Sequence, residues 1–166
     1  MKNNLNVQVR KGRNEGLISA IVVGAVFILI GVIFVINSGL SEKIASFFKD
    51  ITFVTYPLDN ATSILLLPAP ANPQSHAVFY NALMQFALGI GVIQVLILAL
   101  RLTFKSTTGK MAETVGNMVF WFGVATLINY ILQAGTKESW FHFWGAFIIV
   151  IGFSLIARAL VHLVKR

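Results

Sequence analysis

Asn81 and Gln85 stand four residues apart, and so do Asn129 and Gln133. On a helix that spacing puts both amides of each pair on one face. Tyr80, Tyr130 and His142 fall at a similar depth along neighbouring apolar stretches, with His76 just outside. Amides, phenols and imidazoles gathered in this way offer hydrogen-bond donors and acceptors without a fixed charge. That chemistry suits an outward-facing cup for a small polar or amphipathic ligand, or for a lipid headgroup. The competing role is mechanical. Amides join helices within a membrane, and Tyr and Trp, here with Trp140 and Trp144, form a belt at its surface.

Nothing in the chain extends this chemistry to catalysis. There is no Gly-x-Ser-x-Gly, no His-Glu-x-x-His and no glycine loop that could cradle a phosphate. With no cysteine, disulfides, thiolate nucleophiles, iron–sulfur clusters and Cys-based zinc sites are excluded. His76 and His142 lie toward one end of the apolar stretches and His162 toward the other, with no His-x-x-x-His spacing. No metal, no cofactor and no enzymatic activity are expected.

The elements that must position these residues are four apolar stretches, at about Leu17–Ile36, Ala77–Leu100, Ala112–Ala134 and Trp140–Val164. Each has about 20 residues or more, enough to cross a hydrocarbon core of roughly 30 Å as a helix. The composition agrees: 57% hydrophobic and 11% charged, with mean hydropathy +0.79. A soluble domain carries about 25% charged residues. The segments between the spans are too short for a second core, so residues 1–166 are expected to form a single membrane domain. The first stretch follows a basic segment as a signal peptide's would. It is too long for one and lacks an Ala-x-Ala site, so it reads as an uncleaved signal anchor.

Charge orients the spans. Lys2, Arg10, Lys11 and Arg13 precede the first, Arg101, Lys105 and Lys110 separate the second from the third, and Arg158, Lys165 and Arg166 close the chain. Only Lys43, Lys49 and Lys137 remain for the opposite side. Because cytoplasmic loops collect Lys and Arg, both termini and the 101–111 loop are expected inside a cell membrane. The net charge of +7 then serves orientation and contact with anionic headgroups on the cytoplasmic side, at Arg158, His162 and Lys165 among others. Nucleic acid is not an expected partner.

The one long connection is the outer loop, 38–76, about 39 residues. Ser41-Glu42 resembles a helix start. Ile44, Phe47, Phe48 and Ile51 then recur at helical spacing, giving a short helix that lies in the interface or covers the outer end of the spans. Ile51–Tyr56 and Thr62–Leu67 flank a Pro57-Leu58-Asp59-Asn60 turn and read as a small hairpin. The proline-rich 68–73 segment reads as extended. Asn60-Ala61-Thr62 is an N-glycosylation acceptor pattern on the outer side.

Small residues allow close helix approach in lipid. Gly24 and Gly31, Gly116 and Gly123, and Gly145 and Gly152 recur seven apart, and Ala87 and Gly91 form a small-xxx-small pair. These predict an all-α, four-transmembrane-helix bundle of two antiparallel hairpins. No Asp, Glu, Lys or Arg sits in the middle of a span. That argues against an ion-coupled transporter or voltage sensor. Arg101 is placed to pair with Glu113 across the inner loop. The function expected is a structural or accessory membrane subunit, working through helix faces or its outer loop in a homo-oligomer or a larger complex. The alternative is a binding protein or transporter that uses the cup for a small or lipid-like ligand.

Overall fold

In the computed structural model the described residues are 2–56 and 65–164, with side chains from Glu15 onward except at 56 and 65. The 57–60 turn with the Asn60 acceptor, and Lys165, lie outside them. Four helices are long and apolar enough to cross a membrane: α1 Lys2–Ile36, α3 Ala77–Thr103, α4 Thr108–Tyr130 and α5 Lys137–Val164. The apolar part of α1 continues the basic segment before it without a break. At 1.5 Å per residue, the 28 residues of α5 run about 42 Å. Its two ends therefore extend beyond a hydrocarbon core of roughly 30 Å.

The helices pack as a chain of neighbours. α1 lies on α3, α3 on α4 and α4 on α5, and every extensive contact between long helices follows that order. Glycine sets the closest approaches. A Cβ on Gly91 would stand 2.9 Å from Cε1 of Phe122, and one on Gly123 2.6 Å from Cγ1 of Val150. A Cβ on Gly116 would stand 3.1 Å from the Ser154 carbonyl oxygen. The pair on α4 thus marks the α5 seam, and Gly91, beside fully buried Ala87, marks the α3–α4 seam. Gly89, which has no partner glycine seven residues away, admits Leu29 of α1 instead. Gly24, Gly31, Gly145 and Gly152 meet open space, because α1 and α5 turn those faces away from their one long neighbour.

Outside the spans the chain forms α2 Leu40–Asp50, strands β1 Ile51–Tyr56 and β2 Leu65–Pro70, and a 3-10 turn Pro73–His76. α2 starts one residue before Ser41, and Ser41 does not cap it. Gly39 takes the left-handed conformation (φ 70°) at its N-terminus, and its carbonyl accepts the Lys43 N–H at 3.1 Å. The strands pair antiparallel, Ile51 opposite Pro70 and Phe53 opposite Pro68. β2 lies later in sequence than its pattern suggests. A two-stranded ladder leaves one side of each strand unbonded, so prolines are tolerated in it.

On the side of the inner loop, Arg101 does not meet Glu113. Glu113 lies 3.4 Å from Lys110 on its own helix. Arg101 instead reaches Glu15 of α1 at 3.7 Å and donates to Thr114 and to the Lys110 carbonyl. The Ser106 hydroxyl donates to Glu15 at 2.5 Å. One guanidinium therefore joins α1, α3 and α4, since its fork of donors serves several acceptors at once. The turn it spans holds Lys105 at φ 50°, with the Ser106 N–H bonded to the Arg101 carbonyl at 2.9 Å. This is a helix stop normally given to glycine.

Two substitutions separate packed from open glycines. Gly123→Leu should lower unfolding stability in detergent by about 1–3 kcal/mol, the usual range for overpacking. Gly24→Leu should stay within about 0.5 kcal/mol of the parent. Equal losses in a thermal or denaturant titration would contradict the seam.

Candidate functional site

A polar centre forms around the Asp50 carboxylate at the end of α2. One oxygen accepts the Asn72 N–H at 2.8 Å and the other accepts the Asn72 side-chain amide at 3.1 Å. His76 Nε2–H donates to the first oxygen, also at 2.8 Å, since an ionised carboxylate offers acceptors only. The Asp50 carbonyl takes the Ala71 N–H at 2.9 Å. The Ser75 hydroxyl closes the turn onto the Asn72 carbonyl at 2.7 Å. The α2 terminus is thereby tied to the residues that lead into α3. Asn72's backbone amide, and after it the His76 side chain, hold the Asp50 carboxyl below the ordinary carboxylate range, and partial burial opposes them only in part.

Around this centre the packing is aromatic. Phe47 of α2 lies 4.6 Å from Phe79, 5.2 Å from the His76 ring and 5.9 Å from Trp140, centroid to centroid. From Trp140 the contacts pass through Trp144, Phe147, Phe120 and Trp121 to Phe86. This ring-to-ring path links α2, α5, α4 and α3. The Trp140 indole N–H donates to the Pro68 carbonyl at 3.0 Å, fastening β2 to the first turn of α5. A Cβ on Gly135 (φ 67°) would stand 3.0 Å from Cγ of Gln74. The α4–α5 turn therefore abuts the 3-10 turn directly. Thr136 and Ser139 cap α5 reciprocally, each backbone N–H donating to the other's hydroxyl at 3.0–3.1 Å, the logic of a capping box.

The eight polar residues proposed for a cup are not gathered into one. His76 (4% exposed) and Tyr80 (1%) are buried together against Phe47, and among the described residues the Tyr80 hydroxyl has no hydrogen-bond partner. Asn81 is half-buried. Gln85 accepts from the Asn37 side chain at 2.9 Å, an amide bridge between the end of α1 and α3. Gln133 lies on the Met84 sulfur at 3.8 Å. Asn129, Tyr130 (76% exposed) and His142 face outward. The physical reason is the row-like packing: the outer end of α4 presents Asn129 and Tyr130 on a face that neither α3 nor α5 covers. Asn37, Asp50 and Asn72 are the partners that spacing along single helices does not reveal, since each works across the chain. Asp50 stands out in the sequence as one of two acids between the first two spans whose side chains are described, but its partners Asn72 and His76 lie 22 and 26 residues further on.

Two apolar cavities flank α1. One, of about 190 Å³, is lined by α1, α2 and α3 around Ile33, Leu40 and Phe86. The other, a groove of about 530 Å³ between α1 and α3, has Gln85 as its one polar wall residue. Among the described residues no cluster of His, Cys, Asp or Glu could hold a metal ion. At the inner end, Arg158 packs its stem over Gly116 and His162 lies 3.9 Å from a Cβ on Gly109. The basic end of α5 thus sits on the first turns of α4. Compared with protein-family models, curated proteins and solved structures, the chain matches none.

A carboxyl depressed on folding stabilises the fold above its unfolded pKa and loses that contribution as pH falls through its folded value. The unfolded value is about 3.9. The Asp50 tie should hold fully above about pH 5 and weaken progressively below about pH 4. The protection factors of the Ala71 and Asn72 amides, referred to the intrinsic exchange rate at each pH, should fall over that window in the parent. In Asp50→Asn they should already be low at neutral pH. Constant protection in the parent across the window would contradict the assignment.

Proposed function

We propose that the chain is a multi-pass protein of the cell membrane, with both termini and the 104–107 turn in the cytoplasm, and that it serves as a structural or accessory subunit of a membrane assembly. The observation that carries the reading is the fate of the outer polar groups. Asp50, Asn72, His76, Asn37 and Gln85 bond to one another and close the fold, while the remaining amides scatter outward. A carrier needs such groups converging on a cavity. A scaffold needs them to fix helix positions. The free faces of α1 and α5, with Gly24, Gly31, Gly145 and Gly152, are then the surfaces offered to a second copy or to another membrane subunit. Arg158 and His162, with Lys165 beyond them in sequence, meet anionic headgroups on the cytoplasmic side. The lack of any acid near the middle of a span supports the same choice against ion coupling.

A second reading keeps one specific observation, the α1–α3 groove, which would suit a lipid-like ligand. Its single polar residue, Gln85, already bonds to Asn37, so the groove offers shape more than recognition.

The cysteine-free chain makes orientation directly testable. Lys43→Cys should react with a membrane-impermeant maleimide in intact cells, and Thr107→Cys only after permeabilisation. The reverse pattern would overturn the orientation. After gentle detergent extraction, native mass spectrometry should find an assembly larger than one chain, retained by Gln85→Leu with Asn129→Leu. A monomer carrying lipid alone would refute the accessory role.

A further inference from the structure

Beyond the Ile51–Pro70 pair, which packs into the fold, the hairpin β1–β2 presents exposed side chains on one face. Residues opposite one another in an antiparallel pair share a face, so Phe53 with Pro68, and Thr55 with Leu66, form one surface. Phe53 is 72% exposed and Leu66 56%. None of the described strand side chains is charged. Among the described residues the charges of this segment, Glu42, Lys43, Lys49 and Asp50, all belong to α2, and Asp59 lies between the strands in sequence. Standing alone in water, a two-stranded hairpin with an aromatic ring exposed would be marginally stable at best.

Its depth is fixed by one bond. Trp140 lies in the first turn of α5, and α5 exceeds the hydrocarbon thickness by about 12 Å at 1.5 Å per residue. Its first turn, which begins with Lys137 and Glu138, therefore falls in the headgroup layer, where Trp is favoured. The Trp140 indole donates to the carbonyl of Pro68, the residue opposite Phe53. The hairpin is thus moored at the level where headgroups give way to acyl chains. The exposed rings around it continue that level: Phe48 (67% exposed) beside Phe47, and Trp144 edge-to-face against Trp140 at 5.7 Å.

We propose that the β1–β2 hairpin is a lipid-seated element, its Phe53–Pro68 face resting in the headgroup–acyl boundary of the outer leaflet with Trp140 as the mooring. The occupant of the face is the bilayer itself. This rests on the chain being membrane-embedded, and the test separates the two claims.

Single cysteines at Phe53, Thr52, Lys43 and Ile148 would be spin-labelled in the full chain and reconstituted in nanodiscs of phosphatidylcholine and phosphatidylglycerol. Collision rates with oxygen, which partitions into lipid, and with a water-soluble nickel complex report the surroundings of each label. Ile148 (69% exposed on α5) should favour oxygen strongly and Lys43 should favour nickel. The Phe53 label should favour oxygen by at least threefold over the Thr52 label, which lies on the opposite face. Adding Trp140→Phe, which removes the indole donor, should reduce that preference. If Ile148 itself favours nickel, the membrane reading fails. If Ile148 favours oxygen but Phe53 favours nickel, the face is in water and the proposal is overturned. It is equally overturned if the Phe53 label is shielded from both reagents, the mark of a second copy or another protein, or if Trp140→Phe leaves its preference unchanged.

Discussion

Helices surrounded by lipid gain nothing from hiding apolar side chains against one another, because the tails outside are as apolar as the interior. What remains is close contact, and in this chain the closest approaches come where a missing Cβ admits a neighbour. Phe122 enters at Gly91, Val150 at Gly123 and Leu29 at Gly89. Each seam of the row α1–α3–α4–α5 has its own notch. α4 is gripped on both flanks, and it is also the least apolar span, with mean hydropathy 1.5 against 3.0 for α1. On α4, Thr114 is buried between neighbours, whereas Asn117 and Thr126 are exposed, and Thr126 turns its hydroxyl onto the Phe122 carbonyl of its own helix.

The excursion between α1 and α3 is held by a different force. One carboxylate, Asp50, with three incoming hydrogen bonds fixes where α2 ends and α3 begins. The aromatic path from Phe47 to Phe86 carries that fixed point into the spans. At the other end, Arg101 plays the complementary part with Glu15, Thr114 and the Lys110 carbonyl. Polar clasps at the two levels and glycine contacts between them describe the whole fold, with no ionised group in the apolar middle.

Much of this is legible in the amino-acid order. Length and hydropathy place the four spans, and their ends move by no more than a few residues, where Thr107, Gly135 and Thr136 form caps and turns. The α2 face, Ile44 and Phe47 with Ile51, follows from helical spacing alone. The helix start does not, because Gly39 stops and restarts the chain by its backbone freedom and not by a side chain that Ser41 seems to offer. The glycine rule succeeds on α4 and meets open space on α1 and α5. Spacing reports that a face is smooth, while a neighbour is needed to make it a seam. The amide pairs fail to converge for the same kind of reason. Asn81 with Gln85 and Asn129 with Gln133 share faces within their own helices, but the rotation of one helix against the next is set by side chains elsewhere. Asn37 then captures Gln85 from outside the pattern.

α1 touches a single long partner, and that partner is made some forty residues later. When α1 leaves the ribosome there is nothing for it to lean on. Its Leu17–Ile36 run lies in the most apolar of the four spans, with mean hydropathy 3.0. α4 is made only when α3 is already there to receive it. Mean hydropathy falls along the chain from α1 through α3 to α4, from 3.0 to 2.3 to 1.5, and rises again to 2.3 in α5, which has α4 to lie on.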